Sequence, residues 1–166
     1  MAQPFDAKRL EGLVLAYYFH LVWFGRWAEI LGEGAPPPQL VASTGMWRYA
    51  RGRALSAMGR TADAGVELDS LRATQARASR DIPPIITIGF APPATILDIA
   101  THMLAGELAA KLGRHDEAIG QLQQAVRLED GLTYDEPADW YYPTRLSLGA
   151  AQLAAGRAAD AAGSVV

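Results

Sequence analysis

A glycine pattern that recurs along the chain limits what it can fold into more than any other feature. In residues 103–126, MLAGELAAKLGRHDEAIGQLQQAV, Gly106 and Gly113 stand seven apart, Arg114 follows the second glycine, and Ala118, Leu122 and Ala125 mark one face of a following helix. The same order returns at Gly52, Gly59, Arg60, Ala64 and Leu68, and at Gly149, Gly156, Arg157 and Ala161; a looser copy ends in Gly25-Arg26. Glycine inside a helix costs about 1 kcal/mol against alanine, so Gly52, Gly106 and Gly149 read as notches where a neighbouring backbone approaches. Gly59, Gly113 and Gly156 read as stop signals, because a residue of positive φ satisfies the last helix carbonyls and glycine adopts it without strain. Ala64, Ala118 and Ala161 fall in the first turn of the second helix, facing back across the hairpin. Each copy predicts two antiparallel helices joined by a tight turn.

The spacing of the copies separates regular repeats from insertions. Gly25 and Gly59 are 34 residues apart, a helical-repeat period, whereas the next two intervals are 54 and 43. Both excesses fall where proline and glycine cluster and read as inserted loops. The first, DIPPIITIGFAPP at 81–93, holds four prolines and cannot be helix interior. Its Ile85, Ile86, Ile88 and Phe90 are expected to pack against neighbouring helices, with an exposed partner site or a strand paired to another chain as the competing readings. The second insertion is the acidic and aromatic string at 129–143.

Composition excludes several classes. Half of the 166 residues are apolar and the net charge is −3, so the chain is not a disordered segment. A pI of about 5.6 argues against a nucleic-acid partner. Cysteine is absent, which removes disulfides and thiolate metal sites. The opening residues lack the pattern of a signal peptide, and the apolar run 13–24 is shorter than the roughly 20 residues of a membrane span. No membrane association is expected, and the expected setting is the cytoplasm. The run 13–24 reads as a buried helix, with Trp27, Ile30 and Leu31 opening its partner. The next hairpin starts between Gln39 and Met46, with Thr61 as the N-cap of its second helix and Asp63 near that helix's positive end. In the hairpin spanning about 95–128, Ala100, Leu104, Leu108 and Leu112 form the inward stripe.

The paired glycines, the Gly-Arg turns and the string Tyr134-Asp135-Glu136-Pro137 … Trp140-Tyr141-Tyr142-Pro143 … Arg145 … Leu148-Gly149-Ala150 together resemble long bacterial tetratricopeptide-repeat (TPR) proteins of largely unassigned function. The resemblance covers most of the chain and is strongest from about residue 96 onward. It implies an all-α fold, with about four antiparallel hairpins stacked as a right-handed superhelix over 1–166, and a partner-binding surface in place of a catalyst. The first copy departs from the pattern, with Tyr18 where the helix glycine belongs and Ile30 where the small alanine belongs.

In hairpin solenoids the first helices line the concave face, so residues one turn either side of the packing glycine point into it. Those residues are Phe19 and Trp23, Tyr49 and Arg53, Met103, Glu107 and Lys111, and Leu146. Aromatic, methionine and arginine side chains are enriched at interfaces, which makes this face the candidate groove for a protein or peptide partner. The competing reading has Phe19, Trp23 and Leu146 filling the core. Relatives that clamp a terminal carboxylate use recurring lysine and asparagine on this face, and this chain has no asparagine.

The alternative function is a small-molecule or metal-binding module built on 129–143, where Glu129, Asp130, Asp135, Glu136 and Asp139 stand among aromatic residues. The string does not follow the spacing of a calcium loop, and burial with helix-end charge explains the same residue types. His20, His102 and His115 are scattered without zinc spacing, and no nucleophile elbow, phosphate loop or dinucleotide fingerprint occurs. No catalytic residue, metal or cofactor is expected. After Gly156-Arg157 about two helical turns of small residues remain, without the polar capping helix of a closed solenoid. The chain is thus expected to be a fragment of a longer array or to form a homo-oligomer through its last hairpin.

Overall fold

The Gly-Arg turns divide the chain into helical pairs. The computed structural model describes residues 7–136 and 138–164, with side chains from residue 12 onward. Pro137, the signal-peptide reading at 1–6 and the last two residues lie outside them. Eight helices occur among the described residues: α1 (Ala7–Trp23) and α2 (Trp27–Gly32), α3 (Val41–Ala57) and α4 (Thr61–Asp81), α5 (Pro93–Lys111) and α6 (His115–Asp130), α7 (Thr144–Ala154) and α8 (Ala158–Ser164).

Gly25, Gly59, Gly113 and Gly156 all take positive φ, between 63° and 78°. Each turn closes with the same two bonds. In the second, the Gly59 N–H donates to the Ser56 carbonyl (3.1 Å) and the Arg60 N–H to the Leu55 carbonyl (2.8 Å). This double closure satisfies the last carbonyls of the helix. The next helix begins at once, because the arginine carbonyl accepts from the residue four further on: Ile30, Ala64, Ala118 and Ala161 respectively. That hand-over leaves no place for a separate cap. Arg60 stands at the N-cap position without a side-chain capping bond, and Thr61 is the first helical residue instead of the cap expected. The departures at Tyr18 and Ile30 leave this bonding intact in the first turn. The arginine side chains reach an acid three residues on in Arg60–Asp63 (2.7 Å) and Arg114–Glu117 (2.9 Å), whereas Arg157 crosses to Asp116 of the preceding pair (2.6 Å).

Between pairs, α1 packs on α3, α3 on α5 and α5 on α7, while α4 packs on α5 and α6 on α7. The notch at Gly52 belongs to this packing. A Cβ there would stand 2.4 Å from Leu104 Cδ2, and one at Gly45, seven residues earlier, 2.4 Å from Leu97 Cδ2. Two leucines of α5 thus seat in two glycine notches of α3, so the close approach is by side chains, not the backbone contact expected. At Gly106 the filler is Leu122 of α6, with the Ala118 carbonyl 3.3 Å from the missing Cβ.

The α3–α4 pair is further tied by Glu67, buried to 6% exposure, which accepts from Arg48 and Arg51 at 2.8 Å each. Both guanidinium groups also lie over the Trp47 ring. In α5 the stripe Ala100, Leu104 and Leu108 is buried, but Leu112 is exposed because the helix ends there. The 82–92 connection splits its apolar residues. Ile82 and Ile88 pack on the core, whereas the Pro83-Pro84 turn sends Ile85 outward and Phe90 is also exposed, against the packing expected of both. Ile88 bridges Ala91 within the same loop. Among the described residues, no helix is long and apolar enough to cross a membrane.

The notch is tested by a pair of substitutions. Gly52→Ala is expected to destabilise the fold by about 1–3 kcal/mol, since buried Leu104 must move. Gly65→Ala, in open space within α4, is expected to stabilise it by about 0.5–1 kcal/mol. Urea midpoints measure both, and a Gly52→Ala variant as stable as the parent would show that the notch is not filled.

Candidate functional site

The first helices α1, α3, α5 and α7 lie side by side and form the face on which the groove is expected. The α6–α7 connection returns across it to the first pair. Tyr141 stacks on Phe19 of α1 (centroids 4.5 Å apart, planes at 22°). Trp140 meets Phe19 and Tyr49 edge-on at 5.4 and 5.6 Å. Trp23 meets Tyr141 at 6.2 Å and Tyr142 at 5.5 Å, again edge-on. Trp140 is buried to 2% exposure and Tyr49 completely.

Side chains hold this strap. Among the described residues, no backbone–backbone hydrogen bond outside the helices involves 133–142. At its far end Glu129 accepts from Thr144 N (2.8 Å) and Oγ1 (2.5 Å), which caps α7, and Asp130 pairs with Arg145 at 2.7 Å. At its middle the Phe90 N–H donates to Asp139 (3.1 Å), joining the two inserted loops. Gly89, at φ 63°, makes room there, since a Cβ would overlap the Asp139 carboxylate. Burial pushes the Asp139 carboxyl upward, the N–H groups of Phe90 and Ala91 pull it down, and Asp135 adds to the rise; the net direction is up. The acidic string is thus largely engaged in tying the loop down. Among the described residues, no three His, Asp or Glu side chains are placed to hold a metal ion.

Beside the strap stands a polar hub. Arg53 Nε lies 2.5 Å from Glu107, and its Nη1 donates to the Tyr49 hydroxyl at 3.0 Å. The Tyr49 and Tyr141 hydroxyls are 3.2 Å apart, and Ser56 donates to Glu107 at 2.6 Å. Burial works against the Arg53 charge, but the Tyr49 hydroxyl and the Glu107 carboxylate outweigh it, and the guanidinium is held above its usual range. Burial likewise pushes the Tyr141 phenol up. Both groups keep their protons at any physiological pH.

Open space adjoins the hub on two sides. One cavity, of about 350 Å³, is lined by Val22, Trp23, Arg53, Tyr141 and Tyr142. The other, of about 240 Å³, lies between α5 and α7; its lining includes Arg53, Met103, Glu107, Ser147, Ala150 and Ala154. A third, of about 230 Å³, is lined by Phe19, His20, Trp23, Phe24 and Tyr141.

These cavities bring some of the anticipated residues together. Trp23, at 55% exposure, stands open, as do Arg53 and Glu107 in part. Met103 is floor, Phe19 is a buried wall, and Tyr49 acts only through its hydroxyl from inside the core. Lys111 and Leu146 line none of the three, because α5 ends beyond the hub and α7 turns Ser147, Ala150 and Ala154 inward instead. Of the three residues with a core alternative, Phe19 is core while Trp23 and Leu146 are exposed. Tyr141 and Tyr142, which belong to the alternative site at 129–143, and the small residues of α7 join this lining without being marked by the glycine offset. The nine residues by which the last interval exceeds 34 were the available sign that a loop could reach this face.

Comparison with protein-family models, curated proteins and solved structures gave no match.

The strap's acid gives a pH test. A carboxyl whose folded pKa is raised is neutral in both states well below its ordinary 3.8; the folded state loses stability as pH climbs through that value and the folded pKa, and the loss persists above. Asp139→Asn, whose amide oxygen still accepts from Phe90, is expected to be at least as stable as the parent at pH 7. Its advantage should vanish near pH 3 on this linkage. Thermal melts across pH measure it, and a clear loss of stability at pH 7 would contradict the assignment.

Proposed function

We propose that the chain is a protein-interaction scaffold, a TPR-like right-handed solenoid of about four hairpins that holds a partner segment along its concave face. Its role is binding and not catalysis. The observation that supports this reading is the position of Arg53, which lines both the aromatic cavity beside Trp23 and the small-residue cavity between α5 and α7. Arg53 is common to the two linings and its partner Glu107 belongs to the second, so on this reading an extended segment runs past the pair from one space to the other. A trough with an apolar lining and a few fixed polar groups is the usual form of a peptide site. The carboxylates at 129–143 are mostly committed to Thr144, Arg145 and the Phe90 amide, which leaves the small-molecule or metal reading with less to work with.

Site-specific photo-crosslinking tests this. A photoreactive residue at Ala150, in the trough, is expected to capture a discrete partner in cells, while the same residue at exposed Gln123 on α6 is not. Equal capture from both positions, or capture from α6 alone, would move the binding surface off this face.

A further inference from the structure

The aromatic end of the trough has a more specific chemistry. We infer that it is a docking site for a proline-rich segment in polyproline II conformation, a partner class that rests on the groove reading above.

Ring geometry is the first support. Trp23 meets Tyr141 at 75° and Tyr142 at 63°, edge-on contacts that still leave Trp23 55% exposed. The Trp23–Tyr141 ridge has a cavity on either side, one shared with Phe19, His20 and Phe24 and the other with Val22, Arg53 and Tyr142. Two slots flanking an aromatic ridge suit a helix that presents flat, rigid pyrrolidine rings on successive turns. Trp23 and Phe24 are 55% and 68% exposed, an amount of bare aromatic surface that marks an interface more often than a core edge.

Charge complementarity is the second. Among the described residues, the lining of the two slots contains no carboxylate. Among the described residues, the Trp23 indole N–H and the Tyr142 hydroxyl make no hydrogen bond, and Arg53 adds guanidinium N–H groups to the lining of the second slot. His20 donates through Nδ1 to the Ala16 carbonyl at 2.6 Å, which leaves its Nε2 as an acceptor in the neutral ring. The donors of Trp23, Tyr142 and Arg53 outnumber it. A polyproline backbone has carbonyl acceptors and no N–H, and no internal hydrogen bonds to give up. An ordinary extended peptide would bring backbone N–H groups to a site with few acceptors. The Arg53 charge is balanced by Glu107, so an acidic peptide gains little, and binding to a neutral segment should depend weakly on salt.

The test titrates the intact chain with a decaproline peptide and with a glycine-serine peptide of equal length, by calorimetry at low and high salt. Decaproline is expected to bind and the glycine-serine peptide not to. Trp23→Ala should weaken decaproline by about tenfold or more, as removal of an exposed anchor ring does. Tyr142→Phe, which keeps the ring and removes a donor, should weaken it by several-fold, as loss of one hydrogen bond does. Circular dichroism verifies that both variants fold. Equal binding of the two peptides, or decaproline binding that both variants retain, would overturn the inference. Capture from Ala150 reports separately on the groove itself, so a groove that takes a proline-free partner is distinguishable from no groove at all.

Discussion

Every pair of helices depends on one small set of hydrogen bonds at its Gly-Arg turn. The glycine's positive φ lets two successive N–H groups turn back to the helix they leave, and the arginine carbonyl then accepts the first bond of the helix that follows. The backbone passes from one helix to the next without stranding a buried polar group, which is the condition for close packing at a turn. Because the residue that closes one helix also opens the next, the angle between the two has little freedom. The buried Ala64, Ala118 and Ala161 follow from it: their N–H groups are those that bond the arginine carbonyl, and their side chains face the partner helix.

The second determinant is the strap. The open troughs owe one wall to Tyr141 and Tyr142, residues that sit after α6 in the chain yet lie against α1 and α3 in space. Rings hold it through area and stacking, each pair worth about 0.5–1.5 kcal/mol beyond burial. Among the described residues, its backbone makes no backbone–backbone hydrogen bond outside the helices, and Phe19, Tyr49 and Trp23 are the rings it packs against.

Sequence reading reached the helical pairs because their determinants are local. Gly59, Gly113 and Gly156 announce their turns, and the apolar spacing around Leu104 and Leu108 announces a buried face. It stopped where the cause is distant. Thr61 has the chemistry of a cap, but the carbonyl of Arg60 already does that work. Gly45 looks like any helix residue until Leu97 is placed opposite it. Tyr49 and Met103 sit at the offset from the glycine that predicts a groove, yet one is enclosed by Trp140 and the other is floor, and neither outcome follows from spacing alone. The direction of the strap could not be read, because aromatic residues in a loop say that they will be buried without saying where.

The strap also changes what kind of object the chain is. In a stack where each unit touches only its neighbours, stability is a sum of unit and interface terms, and ends can fray while the middle holds. Here the Tyr49 and Tyr141 hydroxyls meet across 92 residues of sequence, and Phe19 lies under Tyr141. Loosening the last pair withdraws support from the first. The contact ties the connection before the last pair to the first two pairs, a coupling that a stack of nearest neighbours does not have.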